Sequence, residues 1–215
     1  FYINLWPDDV HSPFYPSLKG WKDGSGKRNL YLSVLKEMDL QLDQLFSYIK
    51  ADRKLRNNTL ILICSDNGPE KGAGRGSNLK GYKTHLYEGG IRSPLIVWGP
   101  GFISQAKRGS RNNTSIFSGI DLVPSIINFA RIQNDVNYDG EVLINTLTGK
   151  SVSSRKKPIF FRRPPDRKSY YGFQNLPDLS VRDGKWKLLC NYDGSNAQLY
   201  NIPNDHGENK NLASK

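Results

Sequence analysis

The sequence predicts an α/β chain, with strands and helices layered over residues 1–150 and a small antiparallel subdomain over residues 151–215. Three features predict it. Apolar residues recur at helical spacing from about Asn29 to Lys50; an uninterrupted apolar run, LILIC, follows at 60–64; and beyond about Val152 the chain becomes short strand-like runs broken by turn signals.

Taken in order, FYINLW reads as a buried strand, and PDDVHSPFYPSLKG, with three prolines, as a loop holding His11. Leu30, Val34, Met38, Leu42, Leu45 and Ile49 then mark one stripe of a helix about six turns long, which should lie across a sheet. LILIC suits a parallel strand covered on both faces, so strand, helix and strand make a crossover unit. A glycine-rich stretch from Gly68 to Gly81 precedes a second apolar strand, PLIVWG, and Ser118 or Asp121 should cap a helix starting near Leu122, where Pro124 is tolerated in the first turn. In the last third, PIFF, LSVRDGKWKLLC and AQLYNIP read as strands, with Asp183-Gly184 as a hairpin signal.

Composition excludes several classes. No apolar run approaches the roughly 20 residues of a membrane helix, and a hydrophobic fraction of 37% is not that of a disordered chain. Lysine and arginine number 31 against 20 acids, a formal charge of +11 that should attract polyanions, nucleic acid and sulfated polysaccharide among them; a solvated basic surface is the plainer alternative. Cys64 and Cys190 are too few for a disulfide framework, and Cys64 reads as a small core residue. Asn57, Asn112 and Asn113 each open an N-x-[ST] triplet, which fits a secreted surface.

The chemistry gathers in two stretches. Asp66 and Asn67, in LILICSDNGPE, stand where a strand ends and loops leave a sheet; they offer the anionic and carbonyl oxygens that calcium or magnesium prefers, with a tight turn as the alternative. Lys80, Lys83, His85 and Arg92 crowd the glycine-bearing loop of LKGYKTHLYEGGIRSPLIVWGPG, where a backbone free to turn lets cations approach an anion.

The order SDNGP, a glycine-containing loop, then KxxxxEGGIRxPLIVWGPG resembles the central and C-terminal part of the type I sulfatases, which share the alkaline-phosphatase-like α/β fold. Flanking stretches extend the likeness over nearly the whole chain: HSP after the first apolar run, MDLQLDQL before NTLILICSDNG, then SGIDLVPSI, LTGK, VRDGKWKLL and LYNIPNDHGENKNLA. The resemblance implies hydrolysis of sulfate esters on a carbohydrate or aryl group. Asp66 and Asn67 match two ligands of the family's divalent cation, usually calcium. Lys83, five residues before Glu88, matches the lysine on the sulfate and its bridging oxygen, and His11 matches the histidine that binds sulfate and helps protonate the leaving group. The implied partner is a sulfated carbohydrate or another sulfate ester, with neither nucleic acid nor membrane expected, and the implied location is secreted, periplasmic or lysosomal.

The remaining candidates read as structural. Glu88, Gly89 and Gly90 should shape a turn, Arg92 should make an ion pair or pocket wall, Asp121 should cap a helix, and His85 should be an exposed loop histidine. Arg162, Arg163 and Arg167, interleaved with Tyr170, Tyr171 and Phe173, offer a grip for an acidic sugar chain or else a solvated surface, and His206 looks incidental.

The sequence also departs from the family pattern. Type I sulfatases attack with a hydrated formylglycine made from the first residue of a C/S-x-P-x-R segment; these 215 residues contain none, nor the early aspartate pair that completes the metal site. The expectation is therefore the C-terminal half of a longer protein, an incomplete copy of the fold that is inactive alone, binds metal weakly or not at all, and leaves one sheet edge open. Two rival readings remain at this stage: a phosphoester or phosphonate hydrolase of the same fold, and a non-catalytic polyanion binder.

Overall fold

The computed structural model describes residues 1–17, 26–164 and 175–213. Helix α1 spans Lys27–Ala51, close to the extent that the apolar spacing predicts. It ends at Asp52, whose carboxylate accepts from the Leu55 N–H at 2.9 Å and so caps α2, Arg53–Asn58. Strand β1, Ile61–Cys64, leads through a long loop to the single turn α3, Glu88–Ile91, and then to β2, Leu95–Trp98. After two 3-10 turns come α4, Leu122–Phe129, and α5, Ile144–Leu147. Strands β3, Ile159–Arg162, β4, Leu179–Asp183, β5, Trp186–Cys190, and β6, Gln198–Asn201, complete the chain.

Two expectations about the first sheet are corrected. β1 pairs with β2 antiparallel, Ile61 opposite Trp98 and Cys64 opposite Leu95, and not as part of a parallel crossover. The 65–94 link doubles back through turns and one four-residue helix and returns the chain beside β1 in the opposite direction, and FYINLW supplies no partner strand for a crossover. FYINLW forms no strand; Phe1, Tyr2, Ile3, Leu5 and Trp6 are exposed, since no ladder among the described residues is there to receive them.

Burial is corrected with it. Ile63 and Cys64 are exposed, so β1 is not covered on both faces and Cys64 is not a core residue. Helix α1 buries Val34 against Phe14 and Ala73, with Leu30 and Tyr31 alongside, and does not lie across a sheet. Leu40 and Leu45 further along the helix are exposed.

The C-terminal strands behave as the alternation predicts. They form one antiparallel sheet in the order β3-β4-β5-β6. Asp183 pairs with Trp186 across a two-residue loop whose first residue, Gly184, has φ 50°, a conformation that a side chain would disfavour. Period-two alternation sends Phe161, Leu189 and Tyr200 inward, where they meet Leu86, Tyr87, Ile202 and Leu176 in the main core cluster. Leu86 and Tyr87 come from the loop before α3, so this sheet packs directly on the segment that carries Lys83.

A second anchor lies at the start of α4. The cap differs from the expected one: Ser118 and Asp121 form a capping box on the 3-10 turn Gly119–Asp121 that leads into α4, with the Ser118 N–H donating to Asp121 Oδ2 at 2.8 Å, and α4 itself has no side-chain cap. Asp121 does more than cap: it is fully buried, accepts from the Glu141 N–H at 2.7 Å and pairs with the buried Arg155. Removing one partner strands the other charge in a dry site. Arg155→Ala is therefore expected to lower unfolding free energy by about 3–5 kcal/mol, read from urea denaturation midpoints.

Candidate functional site

The site is built from a backbone knot in which three segments touch. The Gly68 N–H donates to the Gly90 carbonyl at 2.8 Å, the Gly89 N–H to the Lys80 carbonyl at 2.7 Å, and the Lys83 N–H to the Pro69 carbonyl at 2.9 Å. Glycine is required here by contact. A Cβ on Gly68 would lie 1.8 Å from the Gly89 oxygen, and one on Gly89 would lie 2.4 Å from the Gly81 oxygen. SDNGP, GYK and EGG, separated in sequence, thus become one compact surface.

The fold gives each predicted residue a definite place. Asp66 is exposed and Asn67 half-buried just beyond the end of β1, in a turn closed by the Ser65 hydroxyl donating to the Asn67 carbonyl at 2.9 Å. Lys83 is half-buried and lies close enough to Glu70 for its charge to act on that carboxylate. His11 is exposed, with Nδ1 2.8 Å from the Ser12 carbonyl oxygen. Its neighbour Ser12 helps to lower the Glu70 carboxyl pKa.

Glu70 joins these pieces and was not singled out from the sequence. Its carboxylate lies 2.5 Å from Lys27 Nζ at the start of α1. Burial pushes its carboxyl pKa up, but the bonds from Lys27 and Ser12 and the charges of Lys27 and Lys83 outweigh that and hold it below the ordinary value. The position after Asn-Gly-Pro reads as a turn residue, and only the fold brings Ser12 and Lys27 to it.

Behind the knot lies a buried ion cluster. Glu88 is 5% exposed and receives Lys187 Nζ at 3.0 Å, Arg182 at 3.6 Å and Arg92 at 3.8 Å. Lys187, with no exposure, also lies 2.9 Å from Glu208, and Glu208 Oε2 accepts from the Glu88 N–H at 2.7 Å. Burial raises the Glu208 carboxyl pKa against the pull of Lys187. Glu88 therefore shapes the turn and Arg92 makes its ion pair, as expected; Lys187 and Glu208 were missed. The available signal was Lys187 itself, a cation on the inward phase of an alternating apolar strand.

Aromatic groups finish the wall. Lys80 Nζ stands 4.2 Å over the Tyr87 ring, and the Tyr87 and Tyr200 hydroxyls both donate to Gln198 Oε1, at 2.8 and 3.0 Å. Burial, reinforced by nearby Tyr87 and Glu208, pushes the Tyr200 phenol up to about 12, so it stays a donor. His85 corrects the expectation of an exposed loop residue: it is half-buried, edge-on to Tyr82 and Tyr87 at 5.8 and 6.5 Å. Arg163 is also corrected as a sugar grip, being buried against Asp178 at 3.1 Å. Arg162 is exposed and stacks over Tyr192, while Arg167, Tyr170, Tyr171 and Phe173 lie outside the described residues.

With this geometry in place, likeness to known proteins is informative. The Sulfatase family model matches residues 1–132, and that of the C-terminal part of N-sulphoglucosamine sulphohydrolase matches residues 81–215. The chain belongs to the sulfatase family. It is 31% identical over 179 residues to a sulfatase of Formosa agariphila, covering 77% of this chain and 30% of that one. It is 27% identical to mouse arylsulfatase K, covering 98% of this chain and 37% of the relative, and 31% identical to dog N-acetylgalactosamine-6-sulfatase, covering 76% and 31%. The chain thus spans about a third of the length of the curated relatives it matches.

Solved structures show the same fold. Ps i-CgsB, solved in complex with k-i-k-neocarrahexaose, superposes with TM-score 0.77 at 24% identity, covering 95% of this chain and 44% of that one. A sulfatase from Pseudoalteromonas sp. gives 0.71 at 20% identity, covering 94% and 42%. The fold of this sulfatase-family chain is accordingly alkaline-phosphatase-like.

Two outcomes follow from the site. Gly68→Ala forces β1's exit loop off the Gly89 carbonyl, and an overpacked backbone contact of this kind is expected to cost at least about 1–3 kcal/mol, seen as a lower Tm. The His85 imidazole is held below the ordinary 6.5, first by burial and then by the charges of Arg163 and Lys71. The unfolded chain therefore binds the proton more readily. Stability from neutral His85 is complete above 6.5 and is lost as pH falls through the lower folded pKa, so a His85→Phe variant should show a smaller drop in Tm below pH 6.5 than the parent.

Proposed function

We propose that this chain carries part of the active site of a sulfuric ester hydrolase that acts on a sulfated carbohydrate or aryl sulfate. The observation that carries the reading is the hydrogen-bonded contact of the SDNGP, GYK and EGG segments. In this reading the Asp66–Asn67 oxygen pair and the Lys83 ammonium serve one end of the β1–β2 ribbon, and the His11 imidazole completes them.

Each residue has work suited to its chemistry. Lys83 neutralises charge on the sulfuryl and bridging oxygens, a fixed-charge contribution that is strong where water is scarce. His11 hydrogen-bonds the sulfate and delivers a proton to the departing alcohol oxygen, which avoids expelling an alkoxide. Asp66 and Asn67 fit a calcium ion in kind, as hard oxygen donors that are exposed or half-buried at a loop. They are this chain's share of the ligands, for among the described residues no three His, Cys, Asp or Glu side chains gather to hold a metal. A bound divalent cation would polarise the sulfuryl oxygens. The family's formylglycine belongs to the same reading, as does a secreted, periplasmic or lysosomal location; among the described residues no helix is long and apolar enough to cross a membrane. We place the boundary between the α/β part and the C-terminal sheet subdomain near residue 150.

The test uses the product of the complete reading frame that contains this chain, assayed on an aryl sulfate and the matching aryl phosphate. Lys83→Ala should lower kcat/KM for the sulfate by about 10²–10³, and His11→Ala should lower kcat by about 10²–10⁴. Parental rates in both variants, or a preference for the phosphate ester, would overturn the reading.

A further inference from the structure

A second concentration of positive charge lies at the other end of the β1–β2 ribbon. The antiparallel register puts Cys64 opposite Leu95 and Ile61 opposite Trp98. The 65–94 loop with its candidate site therefore closes one end, and the chain leaving Trp98 departs from the opposite one. That departing chain, residues 100–108, meets Thr148, Gly149 and Lys150 around an open groove of about 450 Å³, within the roughly 300–1,000 Å³ of small-molecule sites.

Among the described residues, the groove is lined by Lys107, Arg108 and Lys150 and by no acidic residue. All three cations are exposed, and among the described residues none pairs with a carboxylate. Their backbone is held firmly. The Lys107 N–H donates to the Ser104 carbonyl at 2.9 Å, the Ser110 hydroxyl donates to the Lys107 carbonyl at 2.7 Å, and the Lys150 N–H donates to the Asn145 carbonyl at 2.8 Å. Gly149, at φ 72°, has no side chain to obstruct Lys107: a Cβ there would sit 3.4 Å from Lys107 Cβ and Cγ. The lysine stem thus rests on the facing loop, which brings cations from two distant parts of the chain to one concave surface.

We propose that this groove is a second polyanion site, distinct from the candidate active site, that holds a sulfated polysaccharide chain through Lys107, Arg108 and Lys150. Spaced cations, one of them a guanidinium fork, match anionic groups spaced along a polymer. Nucleic acid fits less well, because Phe102, the only aromatic in the lining, is engaged edge-on with Phe129 at 4.7 Å and offers bases no free ring. The choice of glycan rests on the proposed sulfatase reading; the capture of a polyanion does not.

The test is binding of a heparin octasaccharide to the complete protein at several salt concentrations. A Lys107→Gln, Arg108→Gln, Lys150→Gln variant is compared with a control, Lys36→Gln, Lys50→Gln, Lys54→Gln, that removes equal charge from exposed positions on α1 and α2. The groove variant is expected to bind at least about tenfold more weakly, with a log–log salt slope shallower by about two to three from fewer released counterions, while the control stays within about threefold of the parent. Aryl sulfate turnover should be unchanged in the groove variant. Equal losses in groove variant and control, or loss of heparin binding in Lys83→Ala, overturn the site. Duplex DNA bound as tightly as heparin, and weakened equally by the groove variant, overturns its assignment to a glycan. A parent protein that binds heparin through the groove yet hydrolyses neither an aryl sulfate nor the sulfate groups of heparin refutes the catalytic reading and leaves polyanion capture standing.

Discussion

A lysine sealed from water between two carboxylates holds the described structure together around its site. Lys187 Nζ lies 3.0 Å from Glu88 and 2.9 Å from Glu208, and Glu208 in turn accepts the Glu88 backbone N–H. Removing three charges from water costs several kcal/mol per ion, and only close, hydrogen-bonded pairing offsets it. The arrangement is therefore intolerant of displacement. Strand β5, the turn at Glu88 and the tail at Glu208 have one low-energy relation to each other, and apolar packing of Leu189, Tyr200 and Ile202 against Leu86 and Tyr87 reinforces it.

That constraint reaches the chemistry through short lengths of backbone. Lys83 precedes Glu88 by five residues, and between them Leu86 and Tyr87 are core side chains. On the other side of the knot, Gly68 and Gly89 approach so closely that no side chain fits between them. The backbones of the SDNGP and GYK segments are thus held together by main-chain hydrogen bonds. Glu70 extends the same frame to Lys27 at the start of α1.

Charge is distributed along the molecule with a polarity that its total of +11 conceals. At the candidate site, cations are interleaved with acids: Lys27 with Glu70, Arg92 and Arg182 with Glu88. Around the groove at the opposite end of the ribbon, among the described residues, the lining cations stand without acids. Paired charge near the site serves geometry, while unpaired charge far from it is available to a polyanion.

Much of this was legible in the residues, and what was not has a common cause. Helix α1, the hairpin at Asp183-Gly184 and the four C-terminal strands depend on local spacing and turn chemistry, so the residues themselves revealed them. The SDNGP and EGGIR stretches were likewise recognisable as motifs, and with them Asp66, Asn67 and Lys83. Strand direction, the exposure of Cys64 and FYINLW, the burial of Arg163 and His85, and the roles of Glu70, Lys187 and Glu208 were not. A short apolar run reads the same whether its neighbour is parallel, antiparallel or absent, and a charged residue reads as solvated until the fold supplies partners tens of residues away. Sequence by itself determined the elements and the chemical vocabulary of this protein; tertiary structure alone decided which charges lost their water, because desolvation depends on neighbours that the chain order does not specify.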